Sequence, residues 1–364
     1  MAPFKELYEN TSFRYREGLE LIKIKDKMVH PDYIERINYN GDVAPSDMYL
    51  LRGVLVFRVA TARMVAEWLI YYRNRYGNEA CESLPLLKPQ SDILENDTGI
   101  PPDYVKSIEE RLKKLAKKSV LFHMKYGFPE PQNLSPAERK EINFFVANTY
   151  TYHIVRARFD TDTGYVGNYF SHPAHKMLST MHACSMTMRA FLRCKDAEIF
   201  REKSVIYGST KEFYTPDIMV ERELGGLHWY IMGEGFHFQF CAAETTAKEL
   251  GEAYRLRITN MKDLLRHETY VCQKYERAEK RYRFLVCTDS WRGLAIFLKM
   301  LEPSIDIFSG RVFVTSDAVL QANHYDLSKS CRMVFAKEEE NGAKTAALRL
   351  PKLEDLKNNP WILS

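Results

Sequence analysis

The residues best suited to chemistry lie between Phe213 and Thr246, where one carboxylate precedes two or three predicted strands. Pro216-Asp217 starts the first strand, and a Gly225-Gly226 turn leads into the second. The stretch ends at Glu244, which starts a helix. A carboxylate held at a strand end can bind a divalent cation, and that cation can stabilise charge on a phosphate group. The pattern therefore indicates phosphodiester chemistry as the first function to consider.

The groups that would complete such a site are missing from the position where they are expected. An enzyme that cuts DNA with this order of strands needs an acid and a lysine two residues apart on the following strand. Here that strand offers Gln239 and Cys241. An amide and a thiol do not replace carboxylate ligands for a hard, oxygen-seeking cation. The sequence thus predicts a restriction-endonuclease-like, PD-(D/E)XK domain with a degenerate active site.

Three other residues could restore a metal site beside Asp217, and they keep an enzymatic alternative open. Glu234 lies earlier on the same stretch, but Phe236 stands two residues later, where a lysine is needed. Glu244 and Lys248 have i, i+4 spacing on the next helix, which also fits an ordinary surface ion pair. The alternative is therefore a divergent magnesium nuclease that uses these residues. The favoured interpretation has no catalytic residue, no cofactor and no metal.

The upstream elements predict a winged helix-turn-helix over residues 46–130. Ser46-Asp47 and Thr61 each precede an apolar run with steps of three and four, which is typical of a helix start. A third helix begins at Pro101-Pro102. The alternating stretch from Val120 to Tyr126 follows it as a strand or hairpin. In winged helices the third helix enters the major groove and the hairpin contacts the backbone.

The polar residues of these helices and of the hairpin are the candidate DNA contacts, because basic and hydroxyl side chains bind phosphates and base edges. The candidates are Thr61, Arg63, Arg73, Arg75, Lys106, Ser107, Arg111, Lys113, Lys114, Lys117, Lys118, His123 and Lys125. A run of charges also fits a solvated helix face, and Glu109-Glu110 dilutes the positive charge here. Periodicity alone leaves both interpretations open.

The remaining segments complete a four-part division of the chain. Residues 1–45 are expected to form an N-terminal arm, and residues 140–325 the restriction-endonuclease-like domain. Within that domain, aromatic and β-branched residues predict a strand from Phe144 to Phe159. A strand, helix and strand between Arg283 and Thr315 predict two parallel strands. Residues 326–364 are charged and are expected to be a loop-like C-terminal tail with at most one further element.

Composition narrows the class of protein without deciding its function. The net charge of +4 permits nucleic acid as a partner but does not indicate it. The seven cysteines are scattered and include no Cys-x-x-Cys pair, so neither a disulfide framework nor a zinc ribbon is predicted. No apolar run approaches the ~20 residues that span a bilayer, and the first residues lack a signal peptide. A cytoplasmic protein without a membrane partner is expected.

The order of the motifs resembles the plasmid replication-relaxation family and the related MobC-like accessory proteins of conjugative elements. The resemblance spans about residues 46–320. Its motifs are Phe57–Ala62, Leu112–Leu115, Pro216-Asp217, Glu244–Ala247 with Tyr254, Phe284–Thr288 with Arg292, and Arg311–Thr315. It implies a winged-helix DNA binder fused to a restriction-endonuclease-like domain, acting beside a relaxase at a transfer origin. The family commonly has acids where this chain has Gln239 and Cys241, so the resemblance favours binding over cleavage.

The sequence therefore predicts a DNA-binding accessory protein of plasmid or conjugative-element transfer or replication. It would bind origin DNA and recruit a relaxase, without breaking bonds. Double-stranded DNA is the expected partner, with a relaxase or another transfer or replication protein as the second. Two alternatives remain, the magnesium nuclease and a protein-interaction subunit of a transfer complex. No coiled-coil seam indicates an oligomeric state.

Overall fold

The structure, a computed structural model, describes residues 3–11, 13, 20–24, 43–44, 46–76, 100–127, 141–159, 174–201, 203–208, 212–238, 247–274 and 280–363. The chain divides into two compact units. The small unit comprises residues 16–177, and the large unit comprises residues 1–15 and 178–364. Both combine helices with β-sheet, which confirms the predicted mixed α and β class. Compared with the boundaries expected from sequence, this division gives residues 140–177 to the small unit.

The residues expected to form an N-terminal arm belong to both units. Helix α1 (Phe4–Glu9) and the described residues up to 13 form part of the large unit, and we call residues 3–11 and 13 the N-terminal segment. Strand β1 (Glu20–Ile24) belongs to the small unit. Tyr8 is fully buried, and Thr11 and Phe13 are nearly so. The segment is therefore packed into the core of the large unit.

The small unit continues with four helices, a two-residue strand and two longer strands among its described residues. These are α2 (Asp47–Phe57), β2 (Val59–Ala60), α3 (Ala62–Tyr76), α4 (Pro102–Lys117), β3 (Leu121–Gly127), β4 (Ile142–Ala147) and α5 (Thr149–Phe159). The strands form an antiparallel sheet in the order β1-β3-β4-β2. Strand β2, between α2 and α3, thus pairs with the second strand of the pair β3–β4.

The predicted helix starts of the small unit are confirmed. The Asp47 carboxylate accepts a hydrogen bond from the Ala44 N–H at 2.6 Å. The Thr61 hydroxyl accepts one from the Met64 N–H at 3.2 Å. Helix α4 begins with Pro102, which loses nothing at a position where the N–H has no partner within the helix. A side-chain cap thus marks the start of α3, whereas α2 begins at an Asp47 that bonds the preceding turn and α4 begins at a proline.

The strand predicted from Phe144 to Phe159 is wrong over most of its length. Strand β4 ends at Ala147, and Asn148 then caps helix α5. The Asn148 Oδ1 atom accepts a hydrogen bond from the Thr151 N–H at 2.9 Å, and the Thr151 hydroxyl accepts one from the Asn148 N–H at 3.1 Å. This reciprocal pair satisfies the helix end, and it outweighs the strand preference of the aromatic and β-branched residues that follow.

The large unit contains a seven-stranded mixed sheet, and helices lie between several of its strands in the sequence. Its elements from helix α6 onward are α6 (Ala174–Ala190), β5 (Glu198–Phe200), β6 (Val205–Tyr207), β7 (Glu212–Tyr214), β8 (Ile218–Leu224), β9 (Leu227–Phe236), α7 (Ala247–Lys274), β10 (Lys280–Thr288), α8 (Trp291–Leu301), α9 (Ile305–Phe308), β11 (Val312–Val314), α10 (Asp317–Ala322), α11 (Leu327–Ser330), β12 (Arg332–Glu338), β13 (Lys344–Arg349) and α12 (Leu353–Asn358). The sheet order is β13-β12-β11-β10-β9-β8-β5. Strands β6 and β7 form a separate antiparallel pair.

The three central strands β9, β10 and β11 are parallel, and their neighbours are antiparallel. The parallel pairing predicted for the strands between Arg283 and Thr315 is thereby confirmed. Successive residues of β10 pack into opposite clusters. Phe284 and Val286 contact the cluster that contains residues of α7, while Leu285 and Cys287 contact the cluster that contains residues of α6. A central strand buried on both faces explains the continuous apolar run of this stretch.

The loop-like tail expected over residues 326–364 is wrong. Strands β12 and β13 extend the main sheet, and Trp361 is fully buried. The acidic run that suggested a loop marks the end of β12 and the turn to β13, where Gly342 has a φ of +77°. Strand β13 is only half-buried, and its residues are mostly polar or small. An edge strand of that composition carries little hydrophobic signal.

Candidate nucleic-acid interface and carboxylate site

Helix α4 presents a lysine-rich stripe to solvent. Its exposed polar residues recur at steps of three and four and are Asp103, Lys106, Glu110, Lys114 and Lys117. The opposite side of the helix is fully buried at Ile108, Leu112 and Leu115. The apolar face therefore anchors the helix, and three lysines against two acids occupy the free face. We call Lys106, Lys114 and Lys117 the lysine stripe.

Several predicted DNA contacts are instead engaged in ion pairs of the small unit. The Arg111 Nε atom lies 2.6 Å from Asp47 Oδ1, so this guanidinium connects α4 to the start of α2. Lys113 Nζ lies 2.5 Å from Glu109 Oε1, one turn earlier on α4. Lys125 pairs with Glu141, the residue before β4. Each of these three side chains therefore forms an ion pair with a carboxylate of the small unit.

The candidates on α3 and on the hairpin strand are also held by neighbours. Arg63 Nε lies 3.3 Å from Glu67 Oε1, and Arg73 is only 9% exposed. His123 stacks on Phe145 with ring centroids 5.2 Å apart. Thr61 caps α3, as described above. Arg75, Ser107 and Lys118 are half-buried. Of the predicted contacts, the structure thus brings the lysine stripe together on one exposed face.

In the large unit, Asp217 and Glu234 converge on one point. Strands β8 and β9 pair so that Ile218 lies opposite Gly233, which makes Asp217 and Glu234 cross-strand neighbours. The Asp217 carboxylate accepts hydrogen bonds from the Thr180 hydroxyl at 2.9 Å and from the Gly235 N–H at 3.0 Å. The acid beside Asp217 is therefore Glu234. Gln239 and Cys241, which sequence spacing placed in that role, lie outside the described residues.

Gly235 allows helix α6 to reach this site. A Cβ atom on residue 235 would lie 2.0 Å from the carbonyl oxygen of Ser179, far inside the contact distance of two heavy atoms. Only glycine lets the α6 backbone approach β9 this closely. The approach brings the Thr180 hydroxyl within hydrogen-bond distance of Asp217. A backbone constraint thus positions the first carboxylate.

A guanidinium occupies the space between the two carboxylates. Arg257, on helix α7, places its Nη2 atom 2.9 Å from Asp217 Oδ2 and in direct contact with Glu234 Oε2. Tyr214 donates a hydrogen bond of 2.5 Å to Glu234 Oε1. The Arg257 Cζ atom lies 5.7 Å from the ring centroid of Phe236, which stands two residues after the acid. Arg257 thus supplies a positive charge between the two carboxylates.

The electrostatics of the two acids differ. Burial raises the pKa of Glu234 to about 8, and the charge of Asp217 adds to that rise. Burial would also raise the pKa of Asp217, but Arg257, Arg201 and the Gly235 N–H outweigh it and lower that pKa below its usual value. The Arg257 contact favours an ionised Glu234, whereas burial favours a protonated one. Burial is the larger effect, because Asp217 already balances the charge of Arg257, and the pKa of Glu234 is raised.

Sequence reasoning missed Arg257, although the sequence contained a signal for it. Tyr254, Ile258 and Met261 form the buried stripe of α7, and Arg257 lies beside them. An arginine next to such a stripe needs a buried partner, because an isolated charge is strongly disfavoured there. Of the other proposed site residues, Glu244 and the side chain of Lys248 lie outside the described residues. Within the part of the chain that is described, no three His, Cys, Asp or Glu side chains group as metal ligands.

Comparisons of the chain with protein-family models, curated proteins and solved structures found no match. Among the described residues, no helix has both the length and the hydropathy required to traverse a bilayer.

Proposed function

We propose that this chain is a DNA-binding accessory protein whose small unit binds duplex DNA. The observation that carries the proposal is the lysine stripe, three exposed cations on a helix whose opposite side is fully buried. The element order α2, β2, α3, α4, β3 and β4, with β2 paired to β4, supports our proposal that this unit is a winged helix-turn-helix. In such a domain the lysines of the third helix would contact DNA phosphates and base edges.

In this proposal the large unit is a restriction-endonuclease-like domain that no longer cuts. The support is the meeting of Asp217 and Glu234 on adjacent strands, with Arg257 between them. A guanidinium can neutralise carboxylates, but it cannot lower the pKa of a bound water as a divalent cation does. The order of sequence motifs adds the context: origin binding in plasmid or conjugative-element transfer or replication, with recruitment of a relaxase.

A magnesium nuclease is the second candidate, favoured by one observation. Both carboxylate side chains reach the same Arg257 nitrogen, so they are close enough to share a cation. Against it, a metal ion would have to displace that guanidinium and deprotonate Glu234, whose pKa is raised to about 8. We therefore favour binding without cleavage. Incubation of supercoiled plasmid with magnesium or manganese should leave it intact, whereas nicking that disappears in Asp217→Asn would establish the nuclease.

Binding is tested by replacing Lys106, Lys114 and Lys117 together with glutamine in the full-length protein. Each lost phosphate contact lowers the dependence of log affinity on log salt by about 0.9, so three contacts lower it by up to about 2.7. We expect the variant to lose at least about tenfold in duplex affinity at moderate salt.

The matched control removes the same charge from exposed lysines of the large unit, Lys299, Lys344 and Lys357. It should bind duplex like the wild type. Equal losses in both triple variants, or no duplex binding by the wild type at low salt, would refute the proposed function.

A further inference from the structure

The site formed by Asp217, Glu234 and Arg257 contains a second arginine, Arg201, whose role has not yet been described. Arg201 follows β5 and donates a hydrogen bond from Nη1 to the main-chain carbonyl of Asp217. Its Nε atom is buried without a hydrogen-bond partner, while a side-chain hydrogen bond joins the guanidinium to the Cys184 thiol. Arg201 is half-buried, and the side chain of Arg257 is 24% exposed. Two guanidiniums are therefore anchored on a single residue, Asp217, and both retain accessible surface.

Two guanidiniums share the carboxylate residue Asp217. Arg257 and Arg201 each carry a full positive charge, because arginine stays protonated in proteins. Both arginines lower the pKa of Asp217, whereas burial raises the pKa of Glu234. Burying a charge is costly unless it is paired, so two partly exposed guanidiniums on one carboxylate residue favour a further anion from outside.

We propose that Arg257 and Arg201 form a phosphate-binding site of the large unit, and that its ligand is a phosphodiester of the DNA backbone. The choice of DNA as the source of the phosphate rests on the proposed function. In a metal nuclease the carboxylates hold a cation, and the cation holds the phosphate. Here the carboxylates hold a guanidinium, whose planar fork of donors matches two phosphate oxygens. The site keeps its affinity for phosphate and lacks the metal-bound water that would attack it.

The first test measures duplex binding against salt for Arg257→Gln and Arg201→Gln in the full-length protein. Each variant should lower the salt slope by about 0.9, the value of one phosphate contact. Arg257→Lys keeps the charge at residue 257 but loses the planar guanidinium. It should therefore keep the wild-type salt slope and bind duplex more weakly than the wild type. Arg266→Gln, on the same helix with a side chain 58% exposed, is the matched control and should behave as wild type.

Melting curves show which variants are folded. If Arg257→Gln fails to fold, then Arg201→Gln and Arg257→Lys decide the question. Salt slopes for Arg201→Gln and Arg257→Gln that equal that of the Arg266 control would overturn the proposal. Because the lysine-stripe variant acts through the other unit, its loss of binding together with unchanged arginine variants would refute this site alone and leave the proposed function standing.

A second measurement does not need DNA. Phenylglyoxal modifies accessible arginines, and mass spectrometry reports the extent at each one. Inorganic phosphate should slow the modification of Arg257 and Arg201 several-fold relative to Arg266. Absence of that selective protection would refute a phosphate site even if the wild type fails to bind duplex. Protection combined with unchanged salt slopes would overturn DNA as the source of the phosphate.

Discussion

Glu234 is fully buried and shares one arginine with a second acid, which gives its protonation a measurable effect on stability. Its pKa is about 8 in the folded protein and 4.5 in its ordinary state. Between these values the folded state binds more protons than the unfolded state, so the free energy of unfolding falls as pH rises. Asp217, with a lowered pKa, contributes no change in this window, since it is ionised in both states.

From pH 5.5 to pH 7.5 we expect Glu234 to reduce the free energy of unfolding by about 2–3 kcal/mol, at about 1.4 kcal/mol per pH unit. Urea denaturation of the wild type and of Glu234→Gln at both pH values measures this. Glutamine resembles the protonated acid, so the variant should lose that part of the pH dependence. If the free energy of unfolding changed equally with pH in the two proteins, Glu234 would be ionised at neutral pH.

A second prediction at the residue scale concerns Gly235. Its substitution by alanine forces Cβ against the Ser179 carbonyl, a backbone atom that cannot move without shifting α6. We expect Gly235→Ala to cost about 3 kcal/mol or more, at the upper end of overpacking effects. The control is Gly251→Ala on helix α7, where a Cβ meets no atom within 4 Å and should stabilise by about 0.5–1 kcal/mol. Chemical denaturation compares the two, and equal effects would contradict the close approach.

At the scale of elements, the sequence predicted what depends on local chemistry. The helix starts at Asp47 and Ala62, and the parallel strands β10 and β11, followed from capping residues, apolar periodicity and connection length. The charge cluster did not follow, because Arg257 lies 40 residues after Asp217 and no local rule joins them. The sequence could thus indicate that Arg257 needs a buried partner, but not which residue supplies it. The last two strands were missed because β13 is an edge strand of polar and small residues, and β12 ends in charged residues.

The boundary between β4 and α5 gives a prediction about capping. Asn148 accepts a hydrogen bond from the Thr151 N–H, and its Nδ2 atom donates to the Ser119 carbonyl at 3.0 Å. Asn148→Ala removes both, and we expect a loss of about 1–2 kcal/mol in the free energy of unfolding. Asn358→Ala, at an exposed helix end, should stay within about 0.5 kcal/mol of wild type. Thermal and urea unfolding of both variants decide whether the cap fixes this boundary.

At the scale of the whole molecule, the N-terminal segment forms hydrogen bonds and ring contacts with Thr288, Trp291 and Asp317. The Tyr8 hydroxyl accepts a hydrogen bond from the Thr288 N–H at 2.8 Å, and its ring packs against Trp291. The Thr11 hydroxyl donates to Asp317 at 2.5 Å. These contacts lie at the carboxyl ends of the parallel strands β10 and β11. The large unit is therefore completed by a segment from the opposite end of the chain.

Removal of the Tyr8 hydroxyl tests the contribution of this segment. In Tyr8→Phe the Thr288 N–H stays buried without its partner, and we expect a loss of about 1–3 kcal/mol. Amide hydrogen exchange should then be faster in residues 3–13. Tyr270→Phe, at a side chain 55% exposed, serves as the control and should leave exchange in the segment unchanged. Equal exchange in all three proteins would show that the hydroxyl does not hold the segment.

The Tyr8–Thr288 contact has a consequence for biosynthesis. The two residues are separated by 280 positions, and ribosomes add roughly 5–20 residues per second, so Tyr8 waits roughly 15–55 s for its partner to be synthesised. During that interval the stretch that carries the aromatic side chains of Phe4, Tyr8 and Phe13 has no docking surface. Nascent chains stalled before residue 288 should therefore expose this stretch to proteases and chaperones. Its protection should appear only after strand β10 has left the exit tunnel.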